Sequence, residues 1–137
     1  MRFKGYKIRV RCLKWEQVQT IGAYWKKFNS IVNSKKIVGL GIEPLNQPYF
    51  DYALGSIDDE ETLEKMKAID FSDTNFKPTY IELELPDLND WQTFAGKSNN
   101  IQYIYEEKID AQKRRYDYEL EYMDEEGNIE IKIHFID

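Results

Sequence analysis

The chain has 137 residues, enough for a single domain with a sizeable core, and its 42% hydrophobic content marks a folded globule rather than a disordered tail. A formal net charge of -6 without a long basic run excludes the phosphate neutralisation on which nucleic-acid affinity depends. With one cysteine (Cys12) and one histidine (His134) there is neither an intramolecular disulfide nor a Cys/His zinc site within one chain, and no metal or cofactor is expected.

The first stretch, "YKIRVRC", alternates Tyr6, Ile8, Val10 and Cys12 with Lys7, Arg9 and Arg11, which predicts a half-buried strand. From Trp15 the period changes. Trp15, Val18, Ile21, Trp25, Phe28 and Ile31 recur every three or four residues and form one stripe of a helix. "KKIVGLGI" returns to an extended pattern, the prolines of "EPLNQP" mark a connection, and "YFDYALG" reads as another strand. The polar stretch 56–73 predicts a connection between halves, with a short helix capped by Asp58 or Asp59 and its acids turned to water.

The second half begins with "TYIELELP", a strand with Ile81, Leu83 and Leu85 on one face, then a turn at "DLND" and a further extended stretch, "WQTFAG". Asn99 or Asn100 is placed to cap a helix through "IQYIYEEKIDAQKRR", and Lys113, Arg114 and Arg115 suit the negative end of its dipole. The closing stretch "YDYELEYMDEEGNIEIKIHFID" gives two strands joined by a hairpin, where Gly127 supplies positive φ. No continuous apolar run follows Arg2, Lys4 and Lys7, and no segment reaches transmembrane length. A cytoplasmic protein with no membrane partner is expected.

Read together, the order strand–helix–strand–strand occurs twice, over about residues 1–56 and 76–137, with the acidic linker between. This predicts one α+β domain: a mainly antiparallel sheet with both helices on one face and a shared cleft on the other. In the closing strand, Glu119 and Glu121 share the face opposite Tyr118 and Tyr122. Pattern alone leaves two readings of those carboxylates: they meet water, or they line a pocket.

The residues "YFDYALG", "YIELELP…WQTFAGKS", "IQYIYEEK" and "YELEYMDEEGNIEIKIHFI" resemble the GyrI-like family. These are the effector-binding domains found behind DNA-binding segments in MerR-type and AraC-type regulators, and also as free-standing proteins. The resemblance implies two βαββ units about a pseudo-two-fold axis, with a small-molecule pocket between them. In drug-binding members a buried glutamate on the strand after the second helix neutralises cationic aromatic ligands. The matching segment here is "YELEY", so Glu119 is the first candidate and Glu121 the second. Tyr52 and Trp91 lie on strands expected to border the cleft, and Trp25 and Tyr103 on the two helices complete the candidate set. Where the family often carries tryptophan near both ends of the second helix, this chain has Ile101 and Lys108, so the resemblance leaves the ligand's identity open. The implied function is that of a stand-alone binder of an aromatic, cationic small molecule, with no catalytic residue assigned. Two alternatives stay open: a small-molecule hydrolase using the cleft glutamate, and a protein-binding inhibitor of the kind that acts on DNA gyrase. The implied partners are the small molecule and either a separate transcription regulator or DNA gyrase.

Overall fold

The computed structural model describes residues 1–44 and 48–137, so the middle of the connection read at "EPLNQP" lies outside the described residues. The elements in chain order are β1 (Arg2–Arg11), α1 (Gln17–Asn29), β2 (Val38–Ile42), β3 (Tyr49–Ile57), α2 (Glu60–Met66), β4 (Thr79–Glu84), β5 (Gln92–Lys97), a composite helix α3 over residues 98–112, β6 (Tyr116–Met123) and β7 (Asn128–Phe135). The seven strands form one antiparallel sheet in the order β4-β1-β3-β2-β6-β7-β5. Leaving aside the edge strand β4, the halves β1-β3-β2 and β6-β7-β5 are mirror-ordered about the β2–β6 seam, as a pseudo-two-fold arrangement requires.

Strand register decides which side chains share a face, because directly opposed residues point the same way. Tyr52 and Glu119 both lie opposite Gly41, Glu121 lies opposite Gly39 and Ile131, and Ile133 lies opposite Glu119. On this face α1 buries Tyr24, Trp25 and Phe28 against Ile8, Val10, Phe50 and Tyr52. Over the other half of the same face, α3 buries Ile104 and Ile109 against Phe94, Ile129, Ile131 and Ile133. Both helices therefore cover one face, each above its own half.

The opposite face carries Phe3, Leu40, Ala53 and Leu120, and residues Leu85 and Trp91 close over them. Residues 85–91 join β4 at one edge to β5 at the other. A flat seven-stranded sheet is about 29 Å across, while the chain from Glu84 to Gln92 reaches at most about 28 Å even when fully extended. Leu88–Asp90 is coiled into a 3-10 turn, which shortens that reach further. The sheet must therefore curl around its helix-free face, with residues 85–91 strung across the hollow.

Local structure departs from the sequence expectation in four places. Trp15 is not part of α1: Lys14 and Trp15 both have left-handed backbones, φ 52° and 63°, and the helix starts at Gln17. In α3 no Asn100 side chain caps the helix; a 3-10 turn at Ser98–Asn100 leads in instead. At its other end Lys113 is left-handed, and Arg114 pairs with Asp137 at 3.1 Å while lying 4.1 Å over the Phe135 ring, so the Arg114 guanidinium serves the C-terminus rather than the helix end. The acidic linker is only half solvated. Asp59 caps α2 through Thr62 as expected, but Leu63, Met66 and Ile69 are buried, and Phe71 and Phe76 pack on Tyr24. Among the described residues no helix is long and apolar enough to cross a membrane.

Candidate functional site

A cavity of about 540 Å³ opens between α1 and α3, on the helix-bearing face and directly above the seam. This corrects the expected position of the cleft. The helix-free face is filled by Leu40, Leu120, Phe3 and Trp91. On the helix side β2 contributes only Gly39 and Gly41, so the two helices leave a gap above strands that carry little side-chain volume. The alternating glycines of "VGLGI" were the sequence signal for that gap.

Glu119 and Glu121 line this cavity although only 4% of each is exposed. The hydroxyl of Tyr105, from α3, donates to Glu119 Oε2 at 2.8 Å. On the other side Trp25 Nε1 donates to the Tyr52 hydroxyl at 2.7 Å, and Tyr52 in turn hydrogen-bonds Glu121. Two carboxylates are thus each held by one tyrosine, one from each half of the molecule. Among the described residues no cation contributes to the electrostatics of either; Lys14 also lines the cavity, but it is exposed and pairs with neither.

Burial dominates the ionisation of this pair. It raises Glu119 to about 8, with the neighbouring Glu121 charge adding to the rise and the Tyr105 hydrogen bond opposing it. Glu121 rises to about 7 for the same reason, against the Tyr52 hydrogen bond. Because the two interact, they titrate as a pair. Tyr52 and Tyr105 are themselves pushed well above the usual phenol range by burial and then by the glutamates, so both remain neutral donors.

The walls are largely aromatic and apolar. Trp15, Val18, Ile21 and Trp25 come from the α1 side, and Ile101 and Tyr105 from α3. The Trp15 and Tyr105 rings approach to 6.4 Å across the opening. A π-helical stretch, Ile104–Ile109, shapes the α3 wall: Asp110 N–H closes on Tyr105 O, five residues back, and Tyr105 and Asp110 both line the cavity. Among the described residues, no group of three His, Cys, Asp or Glu could hold a metal ion.

Of the six candidate residues, the structure brings four to this place. Glu119, Glu121 and Trp25 line the cavity, and Tyr52 supports Glu121 from below. Trp91 lies on the other face of the sheet, stacked 6.4 Å from Tyr118, with its indole N–H on Pro86 O at 3.2 Å. Tyr103 is 57% exposed and outside the cavity lining. Tyr105, Trp15, Tyr116 and Gln17 line it without having been singled out. The spacing Ile101–Ile104–Tyr105 was the readable signal for Tyr105, since those positions share one helical face.

No family model matches the sequence, and no curated protein matches it. Among solved structures, SAV2435 bound to tetraphenylphosphonium is similar over 99% of this chain and 88% of its own, with a TM-score of 0.55 and 12% identity. A candidate bacterial transcription regulation protein from Staphylococcus aureus MU50 is similar over 100% of this chain and 93% of its own, with a TM-score of 0.55 and 13% identity. At such identity the likeness establishes a shared fold.

Proposed function

We propose that this protein binds a small aromatic cation between α1 and α3, with the positive charge held against Glu119 and Glu121. The observation that carries this reading is the buried carboxylate pair, without a counter-charge among the described residues, at the floor of an aromatic cavity of about 540 Å³. Burying an unpaired carboxylate is costly, and a cation entering from solvent offsets that cost. Aromatic walls add cation–π attraction of about 0.5–2 kcal/mol per ring. The tetraphenylphosphonium held by SAV2435 is a ligand of this type and supports the reading. The likeness to a candidate transcription regulation protein supports a role in ligand sensing beside a separate regulator.

Titration with tetraphenylphosphonium tests the proposal, read by quenching of Trp15 and Trp25. Binding is expected, and Glu119→Gln should weaken it more than tenfold, because a charge-assisted contact is worth about 2 kcal/mol. Neutral triphenylphosphine oxide should lose little. One observation favours a second reading, a hydrolase: both carboxylates are raised toward neutrality, where a general acid works best. In that case Glu119→Gln would lower turnover of an aryl ester probe by roughly a hundredfold and leave affinity nearly unchanged.

A further inference from the structure

Hydrogen-bonding capacity at the cavity floor is strongly one-sided. Once a bound cation holds them ionised, the carboxylates of Glu119 and Glu121 accept only, and together they offer roughly eight lone-pair sites. The donors nearest them are already committed within the protein: Tyr105 to Glu119, Trp25 to Tyr52, and Tyr52 to Glu121. On the α1 wall, Gln17 Oε1 is buried with no hydrogen-bond partner among the described residues, and Gln17 lines the same cavity. A third carboxylate, Asp110, is also in the lining. The Ser98 and Tyr116 hydroxyls of the lining can donate or accept. The one cation among the described lining residues, Lys14, is exposed.

An occupant that supplied charge alone would leave this set unsatisfied. In an onium ion the positive centre is sheathed in carbon and carries no hydrogen to give. It would expel water from the floor while leaving carboxylate lone pairs without donors, and each such orphan subtracts from the charge attraction. The Gln17 carbonyl, already without a partner among the described residues, would stay so. A planar fork of N–H groups meets the same site differently. It places two parallel donors on a carboxylate and keeps charge and hydrogen bonds in one contact. Glu119 and Glu121 line one cavity from alternate positions of one strand, and Gln17, also of the lining, holds a buried carbonyl that still lacks a donor among the described residues.

The geometry points to an N–H-bearing cation as the ligand class of this cavity: a protonated amidine, guanidine or amine on an aromatic body, in preference to a permanently charged onium ion. This rests on the cation-binding reading above. It is tested with three probes of one shape, namely biphenyl amidine, biphenyl trimethylammonium and biphenyl carboxamide, titrated against the unaltered protein at neutral pH. The amidine is expected to bind at least about tenfold tighter than the trimethylammonium, and both tighter than the neutral carboxamide. In Gln17→Leu the ratio of amidine to trimethylammonium affinity should fall severalfold. Equal or tighter binding of the trimethylammonium would overturn the N–H inference and leave cation binding standing. If both cations bind no better than the carboxamide, the cation-binding reading itself fails. A ratio unchanged by Gln17→Leu would overturn the role given to Gln17.

Discussion

At Gly41 a side chain would meet Glu119: a β-carbon placed there falls 2.5 Å from both Cγ and Oε1 of the glutamate. Glu119 cannot simply swing aside, because Tyr105 holds its other oxygen at 2.8 Å. Gly41→Ala is therefore expected to destabilise the protein by about 1–3 kcal/mol, the usual cost of overpacking, and to weaken ligand binding as well. Gly22 provides the opposite case. It sits in the middle of α1, exposed at the cavity wall, and a β-carbon there would have nothing within 4 Å. Gly22→Ala should stabilise by about 0.5–1 kcal/mol, since alanine is the better helix former. Urea denaturation of both variants checks the pair of signs, and Gly41→Ala at wild-type stability would mean that Glu119 is not held.

At the scale of elements, the segment leading into α1 carries strain. Lys14 and Trp15 are consecutive left-handed residues, and this turns the Trp15 ring toward Tyr105. A left-handed backbone costs a side-chain-bearing residue about 1–2 kcal/mol, whereas glycine loses about 0.5–1 kcal/mol through its greater freedom when unfolded. Lys14→Gly should then raise stability by about 0.5 kcal/mol, seen as a higher urea midpoint; a lower midpoint would show that the lysine side chain itself holds the turn. This is also where sequence reading reached its limit. Every strand was legible from its extended or alternating run and the turn residues around it, although β2 and β3 are buried on both faces. Trp15 was not, because its spacing to Val18 fits a helical stripe whatever its own backbone does. The π-helical stretch was equally hidden, since an i→i+5 closure leaves no composition mark. The face of Glu119 was legible, but its company was not. Alternation says which residues share a face, while the path of the connections decides which face receives the helices.

For the whole molecule, the buried pair sets an unusual pH dependence. Glu119 and Glu121 have folded-state values of about 8 and about 7, above their ordinary 4.5. The folded state thus binds more protons than the unfolded one between those limits, and stability falls as pH rises through that window. The carboxylates held below their ordinary value, including Asp59, Asp70 and Asp124, act in the other direction. Their contribution is lost only as pH drops through their lowered values, beneath 3.8. The free protein should be most stable near about pH 5 and lose more than about 1 kcal/mol by about pH 8. Thermal melts across that range check this, and Glu119→Gln with Glu121→Gln should flatten the decline. A bound cation should flatten it too, by holding the carboxylates ionised. Stability that rises from pH 5 to pH 8 would contradict the assigned ionisation.

The two halves of the sheet meet where Gly39–Ile42 of β2 pair with Tyr118–Glu121 of β6, four opposed pairs between strands distant in the chain. Contacts of such long sequence separation carry a larger loop-closure cost than the local hairpins do. The cavity straddles this junction, so it exists only once the junction has zipped. A ligand there gains nothing from the early, half-assembled species and everything from the finished one. Its occupancy therefore slows the opening of the chain and leaves the rate of closing untouched. In kinetic terms, any occupant of this cavity would be a latch on a finished structure and take no part in building it.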